Sequence, residues 1–143
     1  MGTFSGRMAE MAEGVGADVT VIESKGIQPV RIEEVLEAFS KKHFDVITMV
    51  QGETSCGVEM KCLPEVGRIA KEHGALVIVD AVCTLTTMPL QMDEWGIDVA
   101  IAGGQKGLSS IPGVSLIAFS QDAWKTIESR KVRQPHWCLD ALR

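Results

Sequence analysis

Three polar clusters in this sequence each sit just past a stretch that reads as a β-strand: Glu53-Thr54-Ser55, Asp80, and Gln105-Lys106. Together they offer a hydroxyl, a carboxylate, an amide and an amine. In parallel α/β sheets, ligands bind beyond the carboxyl ends of the strands, so one crevice could gather all three clusters. A carboxylate at the tip of an apolar strand is costly to hold unless a cation meets it. Taken alone, Asp80 reads equally as a helix N-cap or as one half of a loop salt bridge. Lys106, inside Gly103-Gly104-Gln105-Lys106-Gly107, reads alone as an exposed loop residue.

The elements that must position these clusters follow from hydrophobic spacing. Residues 5–13 carry Met8, Met11 and Ala12 at helical intervals, and Gly14 and Gly16 end the pattern. The β-branched run 19–22 predicts a strand. Residues 25–29 predict a loop, and Ile32, Val35, Leu36 and Phe39 mark an amphipathic helix. Residues 46–50 predict a second strand, followed by a polar loop over 51–57. Pro64 suits the start of a helix carrying Val66, Ile69 and Ala70 and ending near Gly74. Residues 75–79 are apolar throughout, which predicts a strand buried on both faces. Strands follow at 98–102 and 114–119, then a helix over 121–130 with Trp124 and Ile127 on one face, and a tail from 135 that begins another element. Alternation of strands and helices predicts an α/β fold: a mostly parallel central sheet flanked by helices. The last two strands have no helix between them, so one of them can run antiparallel.

Composition narrows the function. The chain has 143 residues, 45% hydrophobic and 23% charged, enough for one domain with a core. A net charge of −5 without a Lys/Arg block argues against nucleic acid or an anionic membrane surface as partner. No apolar run approaches the length of a bilayer span, and no apolar signal core follows Met1. Cys56, Cys62, Cys83 and Cys138 form no CxxC pair, and His43, His73 and His136 lie far apart, so no metal site is expected. Reduced thiols point to the cytoplasm as the default compartment. Two glycine patterns mislead. Gly103 to Gly107 lacks the phosphate-loop spacing and a hydroxyl residue after the lysine. Gly14-Val15-Gly16 lacks a third glycine and precedes a strand, where a dinucleotide fingerprint follows one.

In combination the motifs are more specific. Val77-Ile78-Val79-Asp80-Ala81-Val82, then Gly104-Gln105-Lys106-Gly107-Leu108 and Pro112-Gly113, resemble the class V aminotransferases, in particular the alanine–glyoxylate and serine–glyoxylate enzymes. Asp80 and Lys106 stand 26 positions apart, as in that pattern. Glu53-Thr54-Ser55-Cys56-Gly57-Val58 is similar to the family's Glu-Ser/Thr-Ser-Thr-Gly-Val loop. Gly6-Arg7-Met8 and Asp93-Glu94-Trp95-Gly96-Ile97-Asp98 also match, so the resemblance covers nearly the whole chain.

The resemblance implies a fold type I enzyme dependent on pyridoxal 5′-phosphate, with residues 1–143 forming part of its cofactor-binding large domain. Lys106 matches the lysine that forms a Schiff base with the cofactor and then carries the substrate's α-proton. Its amine must be neutral to attack, so burial and nearby positive charge are expected there. Asp80 matches the aspartate beside the pyridine nitrogen. Ser55 matches a residue bonded to the cofactor's 3′ oxygen, Gln105 a phosphate contact, and Val82 a residue packed on one ring face. Phe4 matches the aromatic residue on the other face, or is an ordinary apolar residue. The implied activity moves an amino group from a small amino acid to a 2-oxo acid such as glyoxylate or pyruvate, in a homodimer. A lyase or desulfurase on the same scaffold, or a non-catalytic fragment, are the alternatives. Against the family's usual length, the resemblance implies a fragment without the upstream phosphate-binding turn and the C-terminal small domain. No arginine can be assigned to the substrate carboxylate. Cys56, Gly104 and Cys83-Thr84 depart from the usual residues and leave the substrate open.

Overall fold

Helix spacing and caps set the two layers around the sheet. In the computed structural model, which describes residues 2–24, 26–132, 134 and 136–143, helix α1 spans Thr3–Gly14. It ends as the glycines predict: Val15 N–H donates to Met11 O, and Gly16 takes φ +87°. Helix α2, Ile32–Lys41, starts where the Glu34 carboxylate accepts the Arg31 amide at 2.9 Å, and it buries Val35 and Phe39 one turn apart. After strand β1 (Val46–Val50) and the hairpin β2–β3 (Gly52–Glu53 and Val58–Glu59), helix α3 runs over Leu63–Glu72 with Pro64 in its first turn. It buries Leu63, Val66, Ile69 and Ala70, and packs on α2 and on strand β4, Leu76–Asp80. Gly67 lets the segment after residue 90 come close: a β-carbon there would lie 1.7 Å from Trp95 O.

Strands β5 (Val99–Gly103) and β6 (Ser115–Phe119) complete a four-stranded sheet in the order β1-β4-β5-β6. β1, β4 and β5 are parallel, and β6 is antiparallel to β5. The antiparallel edge follows from the short 104–114 connection, too tight for a parallel crossover. Helix α4 spans Gln121–Glu128, with the Ser120 hydroxyl accepting the Ala123 amide, and a single 3₁₀ turn covers Trp137–Leu139. Lys25 and Pro135, within the predicted loop and tail, lie outside the described residues.

The main core lies between the sheet and the α2–α3 layer, where Val77 and Val79 are fully buried with Val35, Leu63, Val66 and Ile69. At the amino end of the strands, buried Asp98 accepts the Val77 amide at 2.9 Å and the Ser120 hydroxyl at 2.7 Å. These bonds tie β4, β5 and the end of β6 in register.

Three expectations need correction. Strand β4 is fully buried on one face only; Leu76, Ile78 and Asp80 on the other are half-buried, since the described residues cover that face in part. The 51–57 stretch, read as a loop, contains β2 and pairs with β3; two-residue strands are too short to show alternation. Residues 19–22 form no strand. Their β-branched side chains favour extended backbone, but a strand also needs a neighbour. Among the described residues no pairing with the edge strand β1 forms; a cavity of about 660 Å³ is lined by Val19, Val21 and Ile22 together with Val46, Thr48 and Val50 of β1.

Candidate active site

Register alone brings the three clusters together. Val50 at the end of β1 pairs with Asp80 at the end of β4, and Asp80 pairs with Ile101 in β5. The Gln51 amide donates to Asp80 O at 2.9 Å, and the Ala81 amide to Ile101 O at 2.8 Å. Glu53 and Ser55 therefore lie just past β1, Asp80 at the tip of the central strand, and Gln105 and Lys106 just past β5. All are at the carboxyl edge of adjacent parallel strands.

Side chains lock these loops to one another. The buried Thr84 hydroxyl donates to Gln51 Oε1 at 2.6 Å, and Gln51 Nε2 donates to Pro89 O at 2.7 Å. The Thr86 hydroxyl donates to Gly107 O at 2.6 Å, so the turn after Asp80 holds the residue after Lys106. Thr86 (φ +75°) and Ser109 (φ +51°) both take the left-handed conformation, which is uncommon outside glycine and concentrates at functional sites. Gly107 is required by close approach: a β-carbon there would lie 2.2 Å from Leu85 O and 3.3 Å from Cys83 O. Gly107→Ala is therefore expected to cost about 2 kcal/mol through overpacking, a loss that urea denaturation measures.

The Asp80 carboxylate is half-buried and accepts the Val82 amide at Oδ1, 2.8 Å. Among the described residues no lysine, arginine or histidine forms an ion pair with it. Val82 and Gln105 meet at Gly103, where the place of a β-carbon is 3.3 Å from Val82 Cγ1 and 3.0 Å from Gln105 Oε1. Phe4 is half-buried in the first turn of α1, with the Arg7 guanidinium carbon 5.6 Å from its ring centroid. Ser55, Gln105 and Lys106 are exposed. The burial expected for Lys106 is thus not met: its loop lies on the rim of the sheet, with the 81–87 turn beneath it and solvent above.

Glu53 is the site residue to which sequence reasoning gave no role. Its side chain is fully buried, yet among the described residues no lysine, arginine or histidine forms an ion pair with it. Five donors converge on it instead: the amides of Phe4 (3.1 Å), Ser5 (2.9 Å) and Ser55 (3.2 Å), the hydroxyl of Ser55 (2.7 Å), and the hydroxyl of Ser5 (3.1 Å), whose single proton is shared with Gly2 O at 3.1 Å. The carboxylate thereby sits at the amino end of α1, where the helix dipole also favours a negative charge. It staples that helix to the loop after β1. Burial pushes the Glu53 pKa up, but the bonds from Ser55 and Ser5 outweigh it, and the pKa falls from 4.5 to about 2. The argument that drew attention to Asp80 applied equally to Glu53, a carboxylate just past a strand with a buried end.

A folded-state pKa below the unfolded value stabilises the fold above about pH 4.5, and that contribution is lost as pH falls through about 2. Its size is on the order of 3 kcal/mol. Urea denaturation across this range is expected to show that loss, and Glu53→Gln is expected to flatten the corresponding limb. An unchanged acid limb in the variant contradicts the assignment.

Among the described residues no group of His, Cys, Asp and Glu side chains is placed to hold a metal, and no helix is long and apolar enough to cross a membrane. Residues 5–132 match the family described as aminotransferase class-V. The chain is 35% identical to the L-aspartate–glyoxylate aminotransferase of Paracoccus denitrificans over 92% of its own length and 34% of that protein's. It is 36% identical to the serine–glyoxylate aminotransferase of Methylorubrum extorquens, again over 92% of this chain and 34% of the relative. The crystal structure of alanine–glyoxylate aminotransferase from Nostoc sp. superposes with a TM-score of 0.92 at 34% identity, over 97% of this chain and 37% of that one. The chain thus spans about a third of the length of these relatives.

Proposed function

Because the chain belongs to the class V aminotransferase family, we propose that the polypeptide carrying it is a pyridoxal-phosphate-dependent transaminase. It converts a small amino acid and glyoxylate into the matching 2-oxo acid and glycine. The observation that carries this reading is the clamped pairing of loops: the turn after Asp80 holds the residue after Lys106 through Thr86 and Gly107. The names of these three relatives share glyoxylate and differ in the amino donor, which supports glyoxylate as the acceptor.

The residues present fit the cofactor. Asp80 offers a half-buried carboxylate whose only recorded bond among the described residues is from the Val82 amide, as a site for a protonated pyridine nitrogen requires. Once bound, the cofactor supplies an electron sink for the pair released when the substrate α-proton leaves. Asp80 would keep the ring nitrogen protonated by its charge. Val82 would pack on one ring face and Phe4 on the other. Ser55 would meet the 3′ oxygen, and Gln105 the phosphate. Lys106 would hold the cofactor covalently and, when released by substrate, carry the proton from the substrate α-carbon. The first amides of α1 cannot serve the phosphate, since Ser55 Oγ occupies that of Thr3 and Glu53 those of Phe4 and Ser5.

Ser55, Gln105 and Lys106 are exposed, so the working site needs cover that excludes water. We assign that cover to a homodimer. The four unpaired cysteines suit a reducing, cytosolic compartment. The test uses the full-length polypeptide loaded with pyridoxal phosphate. Adding alanine, serine or aspartate is expected to bleach its visible absorption band, and glyoxylate is expected to restore it. A band indifferent to every amino donor, or restored by no oxo acid, contradicts the proposal.

A further inference from the structure

Ser55 has one hydroxyl proton, and its neighbours decide where that proton points. Ser55 Oγ lies 2.7 Å from Glu53 Oε1. Glu53 gathers five donors and remains ionised well below neutral pH, so it can only accept. The Ser55 hydroxyl must therefore donate to Glu53. On its other side, the Thr3 amide donates to Ser55 Oγ at 2.8 Å. The proton and one lone pair are thus both committed within the protein. A single lone pair is left, on an oxygen of an exposed residue.

We propose that Glu53 is a positioning residue that makes Ser55 a hydrogen-bond acceptor, and not a donor, toward the ligand. This rests on the functional reading above, in which Ser55 faces the 3′ oxygen of the cofactor. An acceptor there favours the protonated oxygen; a donor would favour the oxygen anion. When the cofactor is joined to Lys106, one proton is shared between that oxygen and the lysine nitrogen. Glu53, acting through Ser55, biases the proton toward oxygen. The two proton positions absorb differently: near-ultraviolet for the protonated oxygen, visible for the anion with the proton on nitrogen.

Substitution reverses the bias in a readable way. Glu53→Gln keeps the shape. Its carbonyl oxygen suits the position of Oε2, which receives the Phe4 amide and both Ser5 donors. Its NH₂ then faces Ser55, gives up the bond from the Ser55 amide to Oε1 (3.2 Å) and donates to Oγ, which turns the serine proton toward the ligand. Ser55→Ala removes the acceptor outright, and Ser55→Thr retains it. The experiment compares absorption spectra of the full-length polypeptide loaded with pyridoxal phosphate at neutral pH. The ratio of the visible to the near-ultraviolet band is expected to rise about fivefold in Glu53→Gln and in Ser55→Ala, the worth of one ordinary hydrogen bond. In Ser55→Thr the ratio is expected to stay at the wild-type value. Should Glu53→Gln fail to fold, Ser55→Ala decides alone, since Ser55 is exposed. A ratio that falls or stays unchanged in Ser55→Ala overturns the inference. Borohydride reduction of the same samples separates this outcome from failure of the function. Lys106 trapped with an unchanged ratio overturns only the role of Glu53; no trapped lysine overturns the functional reading and this inference together.

Discussion

Replacing Lys106 by alanine in the full-length polypeptide is expected to lower transamination by about 10⁴-fold, the upper range for loss of a positioned proton carrier. The proposed covalent hold on the cofactor would be lost with it. Stability is expected to change by less than about 0.5 kcal/mol, because Lys106 is exposed and forms no ion pair among the described residues. Lost activity with an unchanged urea midpoint therefore assigns the effect to chemistry. Lys106→Arg keeps the positive charge but is expected to be as inactive as alanine, since a guanidinium neither attacks a carbonyl nor gives up its proton near neutral pH. An arginine variant with substantial turnover would show that the residue acts only as a charge.

The second large effect belongs to Asp80. Asp80→Asn keeps the acceptor oxygen for the Val82 amide, 2.8 Å away, and removes the negative charge. A preorganised charge of this kind is worth about 10²- to 10³-fold in rate, and kcat is expected to fall by that factor. The variant should still take up cofactor on Lys106, because the loop carrying the lysine is held by Thr86 and Gly107, not by Asp80. The split between retained loading and lost turnover is the signature to measure, by absorption for the first and steady-state kinetics for the second. Turnover within about twofold of wild type in Asp80→Asn would remove the aspartate from the mechanism; the roughly 10²-fold expectation is wide enough to make that outcome decisive.

How far the sequence could be read depended on the range of each interaction. Spacing of apolar residues placed α1 to α4, β1 and β4 to β6 within a residue or two, because a helix face or a buried strand records its periodicity locally. The antiparallel edge was legible from the missing helix between residues 103 and 115. The strand expected at 19–22 failed because propensity is local while pairing is not. The expectation that the three polar clusters share one edge rested on the carboxyl ends of the strands, and register sets Val50, Asp80 and Ile101 level with one another there. Glu53 was visible as a carboxylate past a strand, but its stapling role was not. Its amide donors Phe4 and Ser5 lie 49 and 48 positions away in the chain, and no local pattern announces them. The same holds for the Thr86–Gly107 clamp, which spans 21 positions.

The most direct measurement is to reduce the cofactor-loaded full-length polypeptide with borohydride, digest it and locate the modified lysine by mass spectrometry. The expected result is a single pyridoxyl adduct on the peptide containing Gly104-Gln105-Lys106, lost in Lys106→Ala. An adduct on another lysine such as Lys42 or Lys125, or none at all, contradicts the assignment of Lys106 and the mechanism built on it.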